Sequence, residues 1–173
     1  MGLHAQNIAA ACKISRGYAE RILVGVKPEQ FARKAVVNGT TIDANHPAWV
    51  FGHLATYPAK LAAMVGLDAA KFAAPANFEA LFKDGTPCQD DPSGTIYPSM
   101  ESVTTAFFRT HDALIEALGA VDDAKLIEPT PDEKARARFP LLGGRVLFMA
   151  NNHIMMHMGQ VSTWRRCMGM PAA

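Results

Sequence analysis

Apolar residues recur every three to four positions along four long stretches of this chain, and polar, turn-rich stretches separate them. That spacing is the period of an α-helix with one face turned to a core. No stretch alternates with the period of two that indicates a strand, and no internal repeat occurs. The sequence therefore predicts an all-α fold, a four-helix bundle with two long crossover connections. The predicted helices run from Leu3 to Val26, from the Asn45-His46-Pro47 segment to Met64, from Ser99 to Leu118 and from Arg145 to Met168.

The second predicted helix contains a proline in its interior. Pro58 has no N–H to offer the Leu54 carbonyl, so a kink is expected just after His53. Asn45 is the candidate N-cap, because its side chain can accept a hydrogen bond from the first turn.

Two long connections, residues 66–98 and 119–142, join the predicted helices. The first contains one short predicted helix, Asn77 to Lys83, and the second is expected to be mostly irregular. Connections of this length in a compact domain usually carry function or cover something. We therefore expect the first connection to cover a pocket.

Composition narrows the class of protein. With 173 residues, 49% of them apolar and 19% charged, the chain can form one domain, residues 1–173, around a full core. A net charge of +1 without a basic stripe argues against nucleic acid as a partner. No apolar run suits a membrane span or a signal peptide, and the three cysteines are odd in number and widely spaced, so a cytoplasmic location with reduced thiols is expected.

Histidines carry the candidate chemistry. His153 and His157 are four residues apart, which places both imidazoles on one helix face, one turn apart, where they can share a transition-metal ion. His53 lies on the apolar stripe of the second helix. If the two helices pack side by side, three imidazoles converge and leave coordination positions open. The alternative is that each is a core histidine hydrogen-bonded to its surroundings.

Three further polar residues share these stripes. His46 either caps the second helix or lines a pocket, and its position at the helix entrance favours the structural interpretation. His111 could be a fourth ligand, a general base or a supporting group, the alternative being a satisfied core histidine. Gln160 lies one turn beyond His157 and could orient a ligand or hydrogen-bond across the bundle. His46 and His111 are thus the candidate catalytic residues for proton transfer.

Three motifs follow one another over nearly the whole chain. They are Trp49-Val-Phe-Gly52-His53-Leu54-Ala55, Tyr97-Pro98-Ser99-Met-Glu101 and Asn152-His153-Ile-Met-Met-His157-Met-Gly159-Gln160. In order and spacing they resemble the DinB/YfiT-like superfamily of metal-dependent enzymes.

The resemblance implies a four-helix bundle that holds a divalent metal on His53, His153 and His157. Nickel or zinc is the expected ion, with iron or manganese as alternatives. The implied activity is that of an S-transferase or isomerase that uses a low-molecular-weight thiol such as bacillithiol, mycothiol or glutathione. In that chemistry the metal binds the thiol as its thiolate and presents it to a small electrophilic substrate. Homodimers are common in the superfamily, so a homodimer is expected.

One departure from a related pattern matters. The related domain of sulfoxide synthases has an acidic residue two positions after the second histidine of the pair, where this chain has Gly159. Sulfoxide synthesis is therefore disfavoured.

Two classes of function stay open: a metal-dependent transferase, and a non-catalytic homodimeric bundle that binds metal or a small ligand. A closed coordination sphere completed by His111 would favour the second, and an open position would favour the first.

Overall fold

Residues 2–173 are described by a computed structural model. Most of them are helical, which confirms the predicted all-α fold. The α-helices are α1 (Leu3–Arg21), α2 (Pro28–Phe31), α3 (Pro47–Ala55), α4 (Tyr57–Met64), α5 (Phe78–Phe82), α6 (Met100–Gly119), α7 (Asp123–Leu126), α8 (Glu133–Arg136), α9 (Leu142–Leu147) and α10 (His153–Cys167). A 3₁₀ turn (Ala69–Phe72) follows α4, and a π-helical turn (Phe148–Asn152) joins α9 to α10. A two-residue hairpin pairs β1 (Val36–Val37) with β2 (Thr40–Thr41).

The first helix ends earlier than its apolar stripe predicts. α1 stops at Arg21, and the prediction that it reaches Val26 is wrong. The N–H groups of Leu23 and Val24 bond to carbonyls three residues back, which tightens the chain into turns. Gly25 then takes a φ of +79°, which ends the helical path. Val26 is still buried, because the turn carries it back to the core.

The second predicted helix is divided in two at the expected place. α3 ends at Ala55 and α4 begins at Tyr57, one residue before Pro58, whose missing N–H interrupts the ladder of hydrogen bonds. Its N-cap is His46, so the assignment of that role to Asn45 is wrong. The Nδ1 atom of His46 accepts a hydrogen bond of 3.2 Å from the backbone N–H of Trp49.

The third and fourth predicted helices are also present. α6 begins after Ser99, whose hydroxyl caps it by accepting from the N–H of Ser102 at 3.2 Å. The fourth begins at Leu142, three residues before its predicted start, and contains the π turn. A π turn holds an extra residue and so changes which face the following residues present. His153 comes directly after this turn.

The connections differ in how well they follow the prediction. α5 lies within the predicted Asn77–Lys83 helix. The second connection is more regular than expected, because Asp122 and Asp132 each cap a single helical turn, α7 and α8, by accepting backbone N–H groups. The hairpin was not expected as a strand pair, although Asn38 and Gly39, both with positive φ, form the turn.

Helix packing sets up the site. α6 packs against α1 and α3, and α10 also packs against both of these helices. Apolar side chains fill the space between them in two clusters, one around Phe51 and Phe107 and one around Leu61 and Leu114. The exact four-helix arrangement stays a prediction. Within residues 2–173, no helix combines the length and apolar content needed to cross a membrane.

Candidate metal centre

The packing of α10 against α3 brings three histidines together. One ring nitrogen from each of His53, His153 and His157 lies within 4.8 Å of the other two. The ring centroids are 4.6 Å apart for His153 and His157, and 5.0 Å and 5.5 Å from His53 to His157 and His153. The three residues that were predicted as metal ligands thus lie in one cluster.

Two of the three imidazoles are held by hydrogen bonds on the side away from the cluster. The Nδ1–H of His53 donates to the Phe82 carbonyl at 2.8 Å. The Nδ1–H of His157 donates to Oε1 of Gln160 at 3.1 Å. A proton on Nδ1 leaves the lone pair on Nε2, which is how histidine ligands are commonly oriented by the groups behind them.

The third imidazole makes its contact inside the cluster. Nε2 of His153 lies 3.0 Å from Nε2 of His157. Its Nδ1 is buried and has no hydrogen-bond partner in the described chain. Two facing ring nitrogens either share one proton or direct both lone pairs at a cation. Three imidazoles of this kind suit zinc, nickel or iron, so the residues fit a divalent metal.

Burial keeps these imidazoles in the form that binds metals. Loss of solvation lowers the pKa of all three histidines below its ordinary value. For His153, burial and the neighbouring His157 and His53 lower the pKa to about 4. The Asp84 carboxylate opposes this effect at each of the three. The cluster is therefore neutral near pH 7, and no proton has to be displaced from an imidazolium before a metal binds.

Two aromatic side chains enclose one side of the cluster. Trp49 stacks on His53 with ring centroids 4.7 Å apart. Tyr57 meets His53 and His153 edge-on at 5.0 Å and 4.7 Å. The indole N–H of Trp49 also donates to Oγ1 of Thr86 at 3.3 Å, which ties the loop after α5 to α3. Part of the first connection therefore contacts a side chain that packs on the cluster, and its role as a cover for a pocket stays a prediction.

Gly52 allows α5 to approach α3 closely. A Cβ atom at this position would lie 2.5 Å from the Phe82 ring, well inside contact distance. The close approach brings the Phe82 carbonyl to His53. Sequence reasoning missed the roles of Phe82 and Tyr57. Tyr57 lies on the same stripe as His53, which was a usable signal, whereas a backbone carbonyl leaves no signal in a sequence.

His46 lies outside the cluster. It is fully buried, and its Nε2–H donates to the Gln89 carbonyl at 2.8 Å while Nδ1 caps α3. Burial lowers its pKa. With both ring nitrogens bonded to backbone, this geometry fits the structural interpretation of His46 better than a part in proton transfer.

His111 is also separate from the cluster. Its Nδ1–H donates to the Phe107 carbonyl at 2.8 Å, and burial lowers its pKa to about 4. Among residues 2–173, no fourth histidine, cysteine, aspartate or glutamate joins the ligand group. The arrangement therefore does not include the coordination sphere closed by His111 that would favour the non-catalytic bundle.

Comparison of the sequence with protein families gives a match that includes this site. No curated protein matches the chain. The sequence profile of the DinB superfamily matches residues 13–161, a range that contains the three clustered histidines and both long connections. Since this match extends over most of its length, the chain belongs to the DinB superfamily.

Proposed function

We propose that this protein binds a divalent metal through His53, His153 and His157 and acts as an S-transferase or isomerase that uses a low-molecular-weight thiol. The observation that carries the proposal is the set of three clustered imidazoles, which no fourth histidine, cysteine, aspartate or glutamate joins within residues 2–173. Catalytic metal sites commonly have three protein ligands and keep a position for substrate or water, whereas structural zinc sites have four.

Nickel or zinc is the ion we propose, with iron or manganese as alternatives, because imidazole ligands suit zinc, nickel and iron. The metal would supply a stabilised thiolate, the nucleophilic form of the thiol cofactor, for attack on a small electrophile. Phe82 and Gln160 hold the protons of His53 and His157 on Nδ1. Trp49 and Tyr57 limit access of water from one side, which strengthens electrostatic interactions there.

The first experiment measures metal content by inductively coupled plasma mass spectrometry on untagged protein. The protein as it stands is compared with a variant that carries both His153→Ala and His157→Ala. We expect nearly one metal per chain in the first and background in the second. A protein that takes up no metal even after reconstitution would overturn the proposal.

A second experiment tests the thiol. Cobalt-loaded protein is titrated with glutathione, mycothiol and bacillithiol, and the sulfur-to-metal charge-transfer absorption is recorded. We expect one thiol to produce the band with saturation, and then to support transfer to an electrophile. If none of them perturbs the metal spectrum, the transferase and isomerase proposals fail while metal binding stands.

The competing proposal is a non-catalytic homodimeric bundle that binds metal or a small ligand in the cytoplasm. It shares the three-histidine ligand set and differs in catalysing no reaction. Metal-dependent transfer of a bound thiol to an electrophile would therefore exclude it. Light scattering coupled to size-exclusion chromatography tests the homodimer separately.

A further inference from the structure

The hydrogen bond behind His157 extends to a second amide. Oε1 of Gln160 accepts from Nδ1–H of His157 at 3.1 Å and from the Nδ2 amide of Asn45 at 3.2 Å. Asn45 lies 115 residues earlier, in the segment that leads into α3. A residue next to one helix thus determines what surrounds a histidine on another.

The two ends of an amide have opposite hydrogen-bonding character, since the oxygen accepts and the NH₂ group donates. If the NH₂ group of Gln160 faced His157, it would donate to Nδ1. The proton of that imidazole would then lie on Nε2, where no lone pair would remain for a metal. The network in which Asn45 donates is the one that leaves Nε2 of His157 free.

We propose that Asn45 is a positioning residue for the metal centre, which acts by holding the Gln160 oxygen toward His157. The inference rests on the proposed metal binding. No hydrogen bond joins Asn45 to any of the three imidazoles in the described chain, so its effect passes through the orientation of the Gln160 amide.

The substitution Asn45→Asp separates this role from simple electrostatics. A carboxylate only accepts, so it draws the NH₂ group of Gln160 toward itself and toward Nδ1 of His157. Metal affinity then falls, and we expect a loss of about tenfold, in the range known for groups that orient ligands. Electrostatics alone gives the opposite sign, because an added negative charge near a bound cation strengthens binding.

A matched background provides the control. In Gln160→Glu, the ionised carboxylate accepts from Nδ1–H of His157 in either orientation, so it needs no neighbour to orient it. Adding Asn45→Ala to this background therefore leaves the imidazole proton on Nδ1. We expect the double variant to bind metal about as tightly as Gln160→Glu alone. Asn45→Ala, which removes the donor without adding an acceptor, should weaken binding less than Asn45→Asp.

Two measurements test the role of Asn45. Competition with a chromophoric chelator gives the zinc dissociation constant, and ¹⁵N NMR of the imidazole rings in metal-free protein reports which nitrogen of His157 carries the proton. We expect Nδ1 in the unmodified protein and Nε2 in Asn45→Asp, at unchanged helix content. Zinc binding by Asn45→Asp as tight as in the unmodified protein, or a proton that stays on Nδ1, overturns the inference.

The NMR readout also separates this inference from the proposed function. If the protein binds no metal at all, the proposed function fails, whereas the position of the His157 proton is still measured in metal-free protein. If Asn45→Asp does not fold, Asn45→Ala gives the same comparison with a smaller expected shift toward Nε2 protonation.

Discussion

The Nε2 atoms of His153 and His157 face each other at 3.0 Å across one turn of α10. Burial and the adjacent imidazoles lower the pKa of His153 to about 4, so the pair does not carry two charges at neutral pH. In the neutral pair, this contact requires one proton between the two nitrogens, and the hydrogen bond from His157 to Gln160 assigns it to Nε2 of His153. A divalent ion would use both lone pairs once that proton moved to Nδ1 of His153, which has no hydrogen-bond partner in the described chain. This is why we regard the contact as the core of the site.

Removing any one of the three imidazoles should abolish tight binding. We expect His53→Ala, His153→Ala and His157→Ala each to weaken zinc binding by more than about 100-fold, because changes to orienting groups alone cost 10–100-fold. His4→Ala is the control, since His4 is exposed at the start of α1. Chelator competition measures all four. Comparable losses in the control and the test variants would contradict the assignment.

Gly52 should tolerate no side chain, in contrast to most glycines within helices. Gly→Ala in a helix ordinarily stabilises by up to about 1 kcal/mol. Here the new Cβ would meet the Phe82 ring at 2.5 Å, and displacing that ring also moves the carbonyl that orients His53. We expect Gly52→Ala to lower the free energy of unfolding by about 1–3 kcal/mol, as overpacking does, and to weaken metal binding. Urea unfolding and chelator competition provide the two measurements.

Gly17→Ala is the matched control, because a Cβ there would come no closer than 3.9 Å to the flexible end of Arg21. It should stabilise α1 and leave metal affinity unchanged. If both glycine variants stabilise the protein, the close approach of α5 to α3 does not constrain the site.

Helical periodicity predicted that each of the three histidines lies on the apolar stripe of its own helix, whereas their convergence depended on the packing of two helices and on the resemblance to the superfamily. It could not predict the Phe82 carbonyl or the π turn, since both depend on how distant segments pack. The N-cap of α3 was misplaced from His46 to Asn45. Asn45 has the side chain preferred for capping, but it is used across the interface to α10. Preferences of residue types for helix caps take no account of hydrogen bonds that a side chain makes to a distant helix.

The buried His111 should make the metal-free protein sensitive to acid. Its folded pKa, about 4, lies below the value near 6.5 for an unfolded chain, so the unfolded state binds more protons between these pH values. Stability is therefore complete above about pH 6.5 and declines as the pH falls toward 4. At pH 5 this single group costs about 2 kcal/mol relative to neutral pH.

His111→Leu should remove that contribution. Between pH 7 and pH 5, the free energy of unfolding should decrease in both proteins. We expect the decrease to be about 2 kcal/mol smaller in the variant than in the unmodified protein. The four other histidines whose pKa is lowered, His46, His53, His153 and His157, keep contributing to both curves. Urea titrations of chelator-treated protein at several pH values measure the difference, and His4→Leu provides the exposed control. Parallel curves for all three proteins would refute the expectation.

Arg165 and Arg166 both lie in the last turn of α10, where a positive charge interacts favourably with the helix dipole. Their surroundings differ. The Arg165 side chain is buried, with only 3% of the residue exposed. Its Nη1 donates to the carbonyls of Ile22 at 2.9 Å and Val24 at 2.7 Å, and its Nη2 donates to the Pro171 carbonyl at 3.1 Å. It thus satisfies carbonyls left free where α1 ends. Arg166 is exposed and bonds only within its own helix.

Arg165→Met should therefore destabilise the fold, whereas Arg166→Met should not. Loss of the guanidinium leaves three carbonyls without their donor, and each unsatisfied buried group costs about 1–3 kcal/mol, offset in part because a buried charge is no longer desolvated. We expect a net loss of about 2 kcal/mol for Arg165→Met and less than about 0.5 kcal/mol for Arg166→Met in urea unfolding. Arg165→Lys keeps the charge but not the planar set of donors, so it should recover only part of the loss. Full recovery with lysine would mean that charge near the end of α10, rather than the hydrogen bonds to α1, is what stabilises this junction.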